Sequence, residues 1–370
     1  MSEEFDFIVV GGGSAGAVIA SRLSEDPSCR VALIEAGERP PEVSSMPVAP
    51  AAMQRNPETD WMYTADPGKA GLGLNGRRVP VPRGKMLGGS SSINYMMYVR
   101  GHPGDFDSWA EGGATGWSYA DVLPYFRKSE GLAPSDEIPI DGPAHNTTGL
   151  LGVSVRAPVL PVAKDFVEAA AAAGIPRCDY NGRERGGAAG AVSLTQFTTR
   201  HGKRSSTYQA FLEGEPEQRS NLTIITGAQA VGVPCLLDQP HVGKHLKDHL
   251  EVPLFFPAPG AGVSMNEVAL SMGPAALRGP GGPLPADPAD DASLPADLQA
   301  MKQEAERRIA EWETTGRGLI SSSLVDAVAF CSTGAWRRAQ SRHGDHLLCH
   351  RRRRGPGAFM PERRHHALFR

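Results

Sequence analysis

Cysteine is scarce in this 370-residue sequence: there are five, and no two of them stand in a C-x-x-C spacing. An odd, scattered set fits reduced thiols in the cytoplasm better than a disulfide framework. Long apolar runs are also missing, and none reaches the roughly 20 residues that a membrane-spanning helix needs. The N-terminus, Met1-Ser2-Glu3-Glu4, is acidic and leads straight into an apolar stretch, which leaves no room for a secretory signal. Charge of one sign is equally wanting, because the formal net charge is only −3. The small surplus is uneven. Residues 336–370 hold ten Arg, no Lys and two acids, a net +8, so the remaining 335 residues carry −11. A mildly acidic body speaks against nucleic acid as a partner. At 40% hydrophobic and 21% charged residues, the chain has the composition of a soluble protein long enough for two domains.

What is present is concentrated in the first forty residues. Phe5 to Val10 is a short apolar run that fits a buried parallel strand. It enters Gly11-Gly12-Gly13-Ser14-Ala15-Gly16, in which Gly11, Gly13 and Gly16 fill a G-x-G-x-x-G pattern. Ala17 to Leu23 reads as a helix, and Val31 to Ile34 as a second strand that ends in Glu35, 19 residues after Gly16. Strand, glycines, helix, strand and acid in this order predict a dinucleotide site. Gly11 permits the turn off the strand, Gly13 leaves the backbone bare for a pyrophosphate, and Gly16 lets the helix pack on the strand. Ser14, Ala15 and Gly16 would offer their N–H groups at the helix N-terminus. Glu35, with Ala36 beside it, would accept from a ribose diol.

A second glycine-rich element spans Arg83 to Asn94. Gly88-Gly89 followed by Ser90-Ser91-Ser92 predicts a loop entering a helix with a serine as its N-cap, another place suited to an anion or a polar ring edge. A close-packed Gly-Ser turn is the competing reading.

At this point the sequence resembles the glucose–methanol–choline (GMC) family of flavoprotein oxidoreductases. Gly84-Lys85-Met86-Leu87-Gly88-Gly89-Ser90-Ser91-Ser92-Ile93-Asn94 is similar to the family's first signature. The likeness continues through Tyr98, Gly101 and Asp107, through Gly116 to Tyr119 and Leu123 to Phe126, and through Arg200 to Ser206 and Asn221 to Ile224. Within the family it looks most like choline and aliphatic-alcohol dehydrogenases. The resemblance implies an α/β (mixed α+β) protein: a Rossmann-like FAD-binding domain with a parallel sheet, and a substrate domain with an antiparallel sheet. It implies that Gly11, Gly13, Ser14, Ala15, Gly16, Glu35 and Ala36 hold the ADP half of FAD. Met86, Gly88, Gly89, Ser90, Asn94, Tyr95, Met96 and Met97 would lie along the flavin half. Some members attach FAD through a histidine of this signature; the matching position here is Ile93, so the cofactor is expected to be FAD held without a covalent bond. The implied activity is oxidation of a primary alcohol or choline-like small molecule by hydride transfer to flavin N5.

The resemblance then breaks. After Gly227 to Ala230 the sequence jumps to Val231 to Asp238 and rejoins the family near Val242 to His249, with no second signature. This reads as an internal deletion, so both domains are expected to be incomplete. The expected division is 1–150 for the FAD domain, 151–230 for a substrate-domain part returning to it, 231–334 for a remnant, and 335–370 for a basic, disordered tail. Within these, Val162 to Ala173 is an expected helix with Phe166 and Val167 available for packing and Gly174 after it, Asn181-Gly182 a turn, and Asn221 to Thr226 a strand. Leu298 to Trp312 is an amphipathic helix with a Glu304–Arg308 pair, ended by Gly316. His241, His245 and His249 share i, i+4, i+8 spacing, but the resemblance favours a structural turn over a metal site, and no metal is expected.

The tail, rich in Arg, Gly, Pro and His, reads as out-of-frame translation rather than a nucleic-acid arm. The resemblance implies a catalytic histidine, with a neighbouring histidine or asparagine, in a C-terminal segment that the tail replaces. No catalytic residue is therefore assigned, and the chain is expected to be a truncated form with little or no turnover. A flavin-binding remnant without catalysis is the nearest alternative, and a nicotinamide-dependent dehydrogenase a more distant one.

Overall fold

The computed structural model describes residues 4–66, 76, 78–183, 190–230, 237–238, 240, 296–318, 321 and 325–330. The proposed deletion junction at 231–236, the three spaced histidines, the Gly/Pro-rich stretch and the arginine-rich tail lie outside these residues. In chain order the first strands and helices are β1 (Phe7–Val10), α1 (Ser14–Leu23), β2 (Val31–Ile34), α2 (Pro50–Met53), β3 (Tyr63–Ala65), β4 (Val79–Val81), α3 (Pro103–Glu111) and α4 (Tyr119–Ser129). Then come β5 (Glu130–Leu132), β6 (Leu151–Val155), α5 (Pro161–Ala172), β7 (Ala191–Leu194), β8 (Gln196–Phe197), β9 (Thr199–Arg200) and β10 (Lys203–Arg204). The last are α6 (Thr207–Phe211), β11 (Leu222–Ile225), α7 (Ala296–Thr315) and β12 (Ala327–Phe330).

The opening strand–helix–strand forms where the apolar runs and glycines place it. β1 and β2 pair in parallel, Phe7 against Val31 through Val10 against Ile34. β11 adds to the other edge of β2, also in parallel, Leu222 against Val31. The sheet order is β1-β2-β11, with β2 in the middle. One face is covered by α1 and α6, where Ala17, Ala20, Val31, Leu33, Leu87, Leu212 and Leu222 form a core. Leu33, fully buried, contributes about 1.5–3 kcal/mol through its own burial.

The reading of β1 as a buried strand is corrected. Phe7, Ile8 and Val10 are 49%, 60% and 62% exposed, whereas Val31, Ala32 and Leu33 of β2 are buried. An apolar run reports only that a strand can be buried. Burial also needs neighbours, and among the described residues β1 has a strand on one side only.

The other sheets are small and chiefly antiparallel. β6 pairs in parallel with β5 and antiparallel with β8. β7 pairs antiparallel with β12, and α5 lays Ala163 and Val167 on this pair, with Val192, Leu194 and Ala329. α5 begins on Pro161, whose missing N–H costs nothing in a first turn, and is followed by Gly174 at φ +92°. Phe166, expected in the packing, is instead exposed, because Ala163 and Val167 take the buried stripe. The Asn181-Gly182 turn is present, closed by Gly182 N–H to Asp179 O, but its asparagine is buried and bonded inward. α7 docks through Trp312, whose Nε1 donates to Gly202 O at 2.7 Å, and Gly316 follows it at φ +66°. Its Glu304–Arg308 pair forms at 2.6 Å.

Beneath β5 lies a buried charge network. Arg100 Nη2 donates to Glu130 Oε2 at 2.7 Å, and Nη1 to Ala144 O at 2.6 Å. His145 places Nδ1 2.9 Å from Glu130 Oε2 and Nε2 2.7 Å from Asp179 Oδ2. Asp179 also accepts from the backbone N–H of Asp141 and Asn181 and from Gln196 Nε2. Burial alone would lower the His145 pKa, but bonds to Asp179 and Glu130 outweigh it and push it up to about 9. The ring therefore carries both protons, and two cations face two carboxylates.

Candidate functional site

The two glycine-rich elements, some seventy residues apart, meet backbone to backbone. Gly11 leaves β1 at φ +92° and donates its N–H to Ile34 O at 2.7 Å, which ties the turn to the end of β2. A Cβ on Gly16 would stand 1.9 Å from Gly11 O, so the helix can lie against the turn only because no side chain is there. Gly88 N–H donates to Gly12 O at 2.8 Å, and a Cβ on Gly89, itself at φ +53°, would lie 2.7 Å from Gly13 Cα. At Gly13 a Cβ would meet only Gly89 Cα, at 3.8 Å. The bare backbone of Gly13 therefore opens into a cleft rather than into protein.

That cleft has a volume of about 510 Å³. Gly13 and Ser14 line it from the first motif, and Gly84, Gly89 and Ser90 from the second. Trp61 and Tyr63 form its aromatic wall, their rings stacked 5.8 Å apart, with Lys85 Nζ 5.5 Å from the centre of the Trp61 ring. No side chain caps α1, whose N-cap is Gly13, and its first internal bond is Ala17 N–H to Gly13 O. The N–H groups of Ser14, Ala15 and Gly16 are thus the helix's open donors, carrying the partial positive charge of its N-terminus.

Glu35 is buried at the end of β2 and already serves the backbone. Its Oε2 accepts from Gly12 N–H at 2.7 Å and its Oε1 from Gly37 N–H at 2.9 Å. Each carboxylate oxygen accepts more than one bond, so a ribose hydroxyl would share an acceptor that also shapes the glycine turn.

The second element departs from the expected helix. Gly89–Ser92 is one turn of 3₁₀-helix, capped by Gly88 at φ +82°, and no serine caps it. The hydroxyls serve carbonyls instead: Ser91 Oγ donates to Gly88 O and Ser92 Oγ to Leu87 O, while Ser90 Oγ accepts from Gly84 N–H. A single turn has too few aligned peptides to act as an anion site by dipole, so any contact there comes from individual groups.

The remaining sequence-derived residues divide by burial. Ala36 follows Glu35 at the cleft end of β2. Met86 and Ile93 are buried with Ala49 and Met53, and Met96 is buried at φ +58°. Met86 and Met96 are thus enclosed by protein, and neither lines the cleft. Asn94, Tyr95 and Met97 are half-buried. Asn94 Oδ1 accepts from Met96 N–H at 3.0 Å and from Arg204 Nη1 at 2.9 Å.

Arg204 and the Arg100–Glu130–His145–Asp179 network escaped the sequence reading. Arg204 stands in a stretch that carries the family likeness, and a lone arginine beside Ser205-Ser206 has no spacing that marks it. Its only detectable signal was that likeness.

The residues present fit a flavin dinucleotide. The cleft is walled by bare glycine backbone, open helix N–H groups face it, and an acid sits at the end of β2. When bound, FAD would supply a hydride acceptor. The chain's own groups would hold and orient it: the α1 N–H groups would face the phosphates and Glu35 the ribose.

A family model for GMC oxidoreductases matches residues 5–238. An oxygen-dependent choline dehydrogenase of Pseudomonas putida is 36% identical over 315 residues, covering 72% of this chain and 53% of the relative. One from Vibrio vulnificus is 40% identical over 231 residues, covering 61% of this chain and 39% of the relative. The chain thus spans about half the length, or less, of these curated relatives. Pyridoxine 4-oxidase from Mesorbium loti aligns with a TM-score of 0.53 at 38% identity, over 61% of this chain and 43% of that one. Formate oxidase of Aspergillus oryzae aligns with a TM-score of 0.66 over 91% of this chain and 63% of its own, at 21% identity, a likeness of fold alone.

Proposed function

Since the chain belongs to the GMC oxidoreductase family, we infer that it is built on an FAD-dependent oxidoreductase acting on the CH–OH group of a primary alcohol or choline-like molecule. The observation that carries this reading is the contact of Gly13 with Gly89, which merges the two glycine motifs into one cleft. The choline dehydrogenase relatives favour a small alcohol as substrate. FAD is held without a covalent bond: Ile93 has no nucleophile and is buried away from the cleft among Met53 and Met86. The expected domain division places the cofactor residues in 1–150, with 151–230 carrying substrate-side sheet back to β11. No helix among the described residues is long and apolar enough to cross a membrane. Cys29 and Cys178 form no disulfide among the described residues, which fits a reducing compartment.

The chain on its own holds FAD with little or no turnover. Alcohol oxidation needs a base within hydrogen-bond reach of the hydroxyl. The described histidines are engaged elsewhere: His102 caps α3, His145 lies in the buried network, and His201 sits in the turn between β9 and β10. The test is the visible spectrum of the purified chain, followed by anaerobic mixing with choline and with primary alcohols. The expected result is a flavin spectrum that acid precipitation strips from the protein and that no alcohol bleaches. Flavin that stays with the precipitate would refute non-covalent binding. Bleaching by an alcohol would refute the lack of turnover, and a colourless monodisperse protein would refute the cofactor.

A further inference from the structure

Among the described residues, the partners of the buried Arg204 cation are all uncharged. It is 2% exposed. Its Nε donates to Ser44 O at 2.7 Å, and its Nη1 to Ser91 O at 3.1 Å, Asn94 O at 2.8 Å and Asn94 Oδ1 at 2.9 Å. Its Nη2 is buried with no acceptor among the described residues. Burial pulls its pKa down to about 9, so it stays charged at neutral pH. A buried charge with an unmatched N–H and no facing carboxylate lowers stability. Where a sequence keeps a feature that disfavours the fold, function is the first explanation to test.

We propose that Arg204 is a positioning residue for the cofactor: it holds the Asn94 carboxamide carbonyl-inward, so that Asn94 Nδ2 donates to the bound flavin. This rests on the reading of the cleft as the FAD site. Two N–H donors, Arg204 Nη1 and Met96 N, converge on Asn94 Oδ1. Turned over, the amide would set its own NH₂ against both, so its orientation is fixed by chemistry. Asn94 Nδ2 then donates to no described residue. Asn94 itself is half-buried, and its N–H bonds to the carbonyl of Ser90, which lines the cleft. Only a planar fork spans Ser44 on one side and Asn94 on the other, which a lysine ammonium does not do.

The test is FAD titration into the flavin-free full-length chain, with the thermal midpoint of each flavin-free variant. Asn94→Asp keeps an acceptor for Arg204 but presents no donor. It is expected to weaken FAD binding about tenfold or more while the flavin-free midpoint holds or rises. Arg204→Lys is expected to weaken FAD by a similar factor and to shift the visible flavin band in the same direction as Asn94→Asp. On an Asn94→Leu background the Arg204→Lys change should cost no further affinity, because its route through Asn94 is gone. Asn94→Asp binding FAD like the wild type overturns the proposal, as does an Arg204→Lys loss that persists in full on the Asn94→Leu background. If Arg204→Lys does not fold, Asn94→Asp decides alone. A folded wild-type chain that takes up no FAD overturns the cofactor reading itself, and this proposal with it.

Discussion

Replacing Gly16 by alanine is expected to abolish detectable flavin and to destabilise the chain together, whereas Gly13→Ala should remove flavin alone. The difference lies in what each new methyl would meet. At Gly16 it would lie 1.9 Å from Gly11 O and 3.0 Å from Gly11 C, both backbone atoms of the turn. Nothing flexible is there to give way, so α1 must move off the turn, at about 1–3 kcal/mol for the overpacking. That movement also carries the N–H groups of Ser14, Ala15 and Gly16 away from the phosphates. Losing one charge-assisted bond costs about 1.5–3 kcal/mol, which corresponds to roughly 10- to 100-fold in affinity. At Gly13 the backbone is at φ −70°, open to alanine, and the methyl would meet only Gly89 Cα at ordinary contact distance. It would project into the cleft, into the space that the proposed site gives to the pyrophosphate. Urea midpoints with and without FAD, measured on both variants, separate the two effects. A Gly16→Ala chain that keeps its midpoint and its flavin would show that the turn is looser than described.

The second large effect is expected at Glu130. Glu130→Gln leaves Arg100 and His145, both buried, with one charge fewer to face, and the cost of breaking a buried ion pair is about 3–5 kcal/mol. The network also sets a pH window. Because the folded His145 pKa is raised from 6.5 to about 9, its contribution is complete below 6.5. It is lost as pH rises through 9, at up to about 1.4 kcal/mol per pH unit. Asp179 works in the opposite sense. Burial would raise its pKa, but bonds from His145 and from backbone N–H groups hold it below 3.8, so its contribution is complete above 3.8 and is lost only in stronger acid. Stability should therefore hold on the acid side of neutrality and decline between pH 6.5 and 9. Urea midpoints across pH 5 to 9.5 measure this, and a His145→Asn chain should lose the alkaline slope. An unchanged slope in that variant would assign it to another group.

The legible parts were those whose cause is local. A strand, three glycines, a helix and a strand ending in an acid follow one another within forty residues, and each step is written in neighbouring side chains. α7 was legible because its stripe and its Glu304–Arg308 pair recur at helical spacing. The exposure of β1 was not, since burial of a strand is decided by what lies beside it. The cap on the second glycine element was misread because serine and glycine both cap helices, and only the positive φ of Gly88 separates them. Arg204 and Glu130 were invisible for a simpler reason. Arg204 reaches Asn94 and Ser44 across 110 and 160 residues, and no pattern in the sequence spans such distances.

β2 is the central strand of its sheet, yet its two neighbours are made at very different times. β1 precedes it, but Leu222 of β11 follows Ile34 by 188 residues. At the usual rate of synthesis, about 5–20 residues per second, the ribosome takes roughly 10–40 s to cover that interval. Throughout it, β2 carries an open row of backbone donors and acceptors on the nascent chain, and the cofactor cleft lacks the β10–α6 segment that braces Asn94. The moment at which the second edge of β2 can pair is thus set by translation speed rather than by the stability of the finished fold.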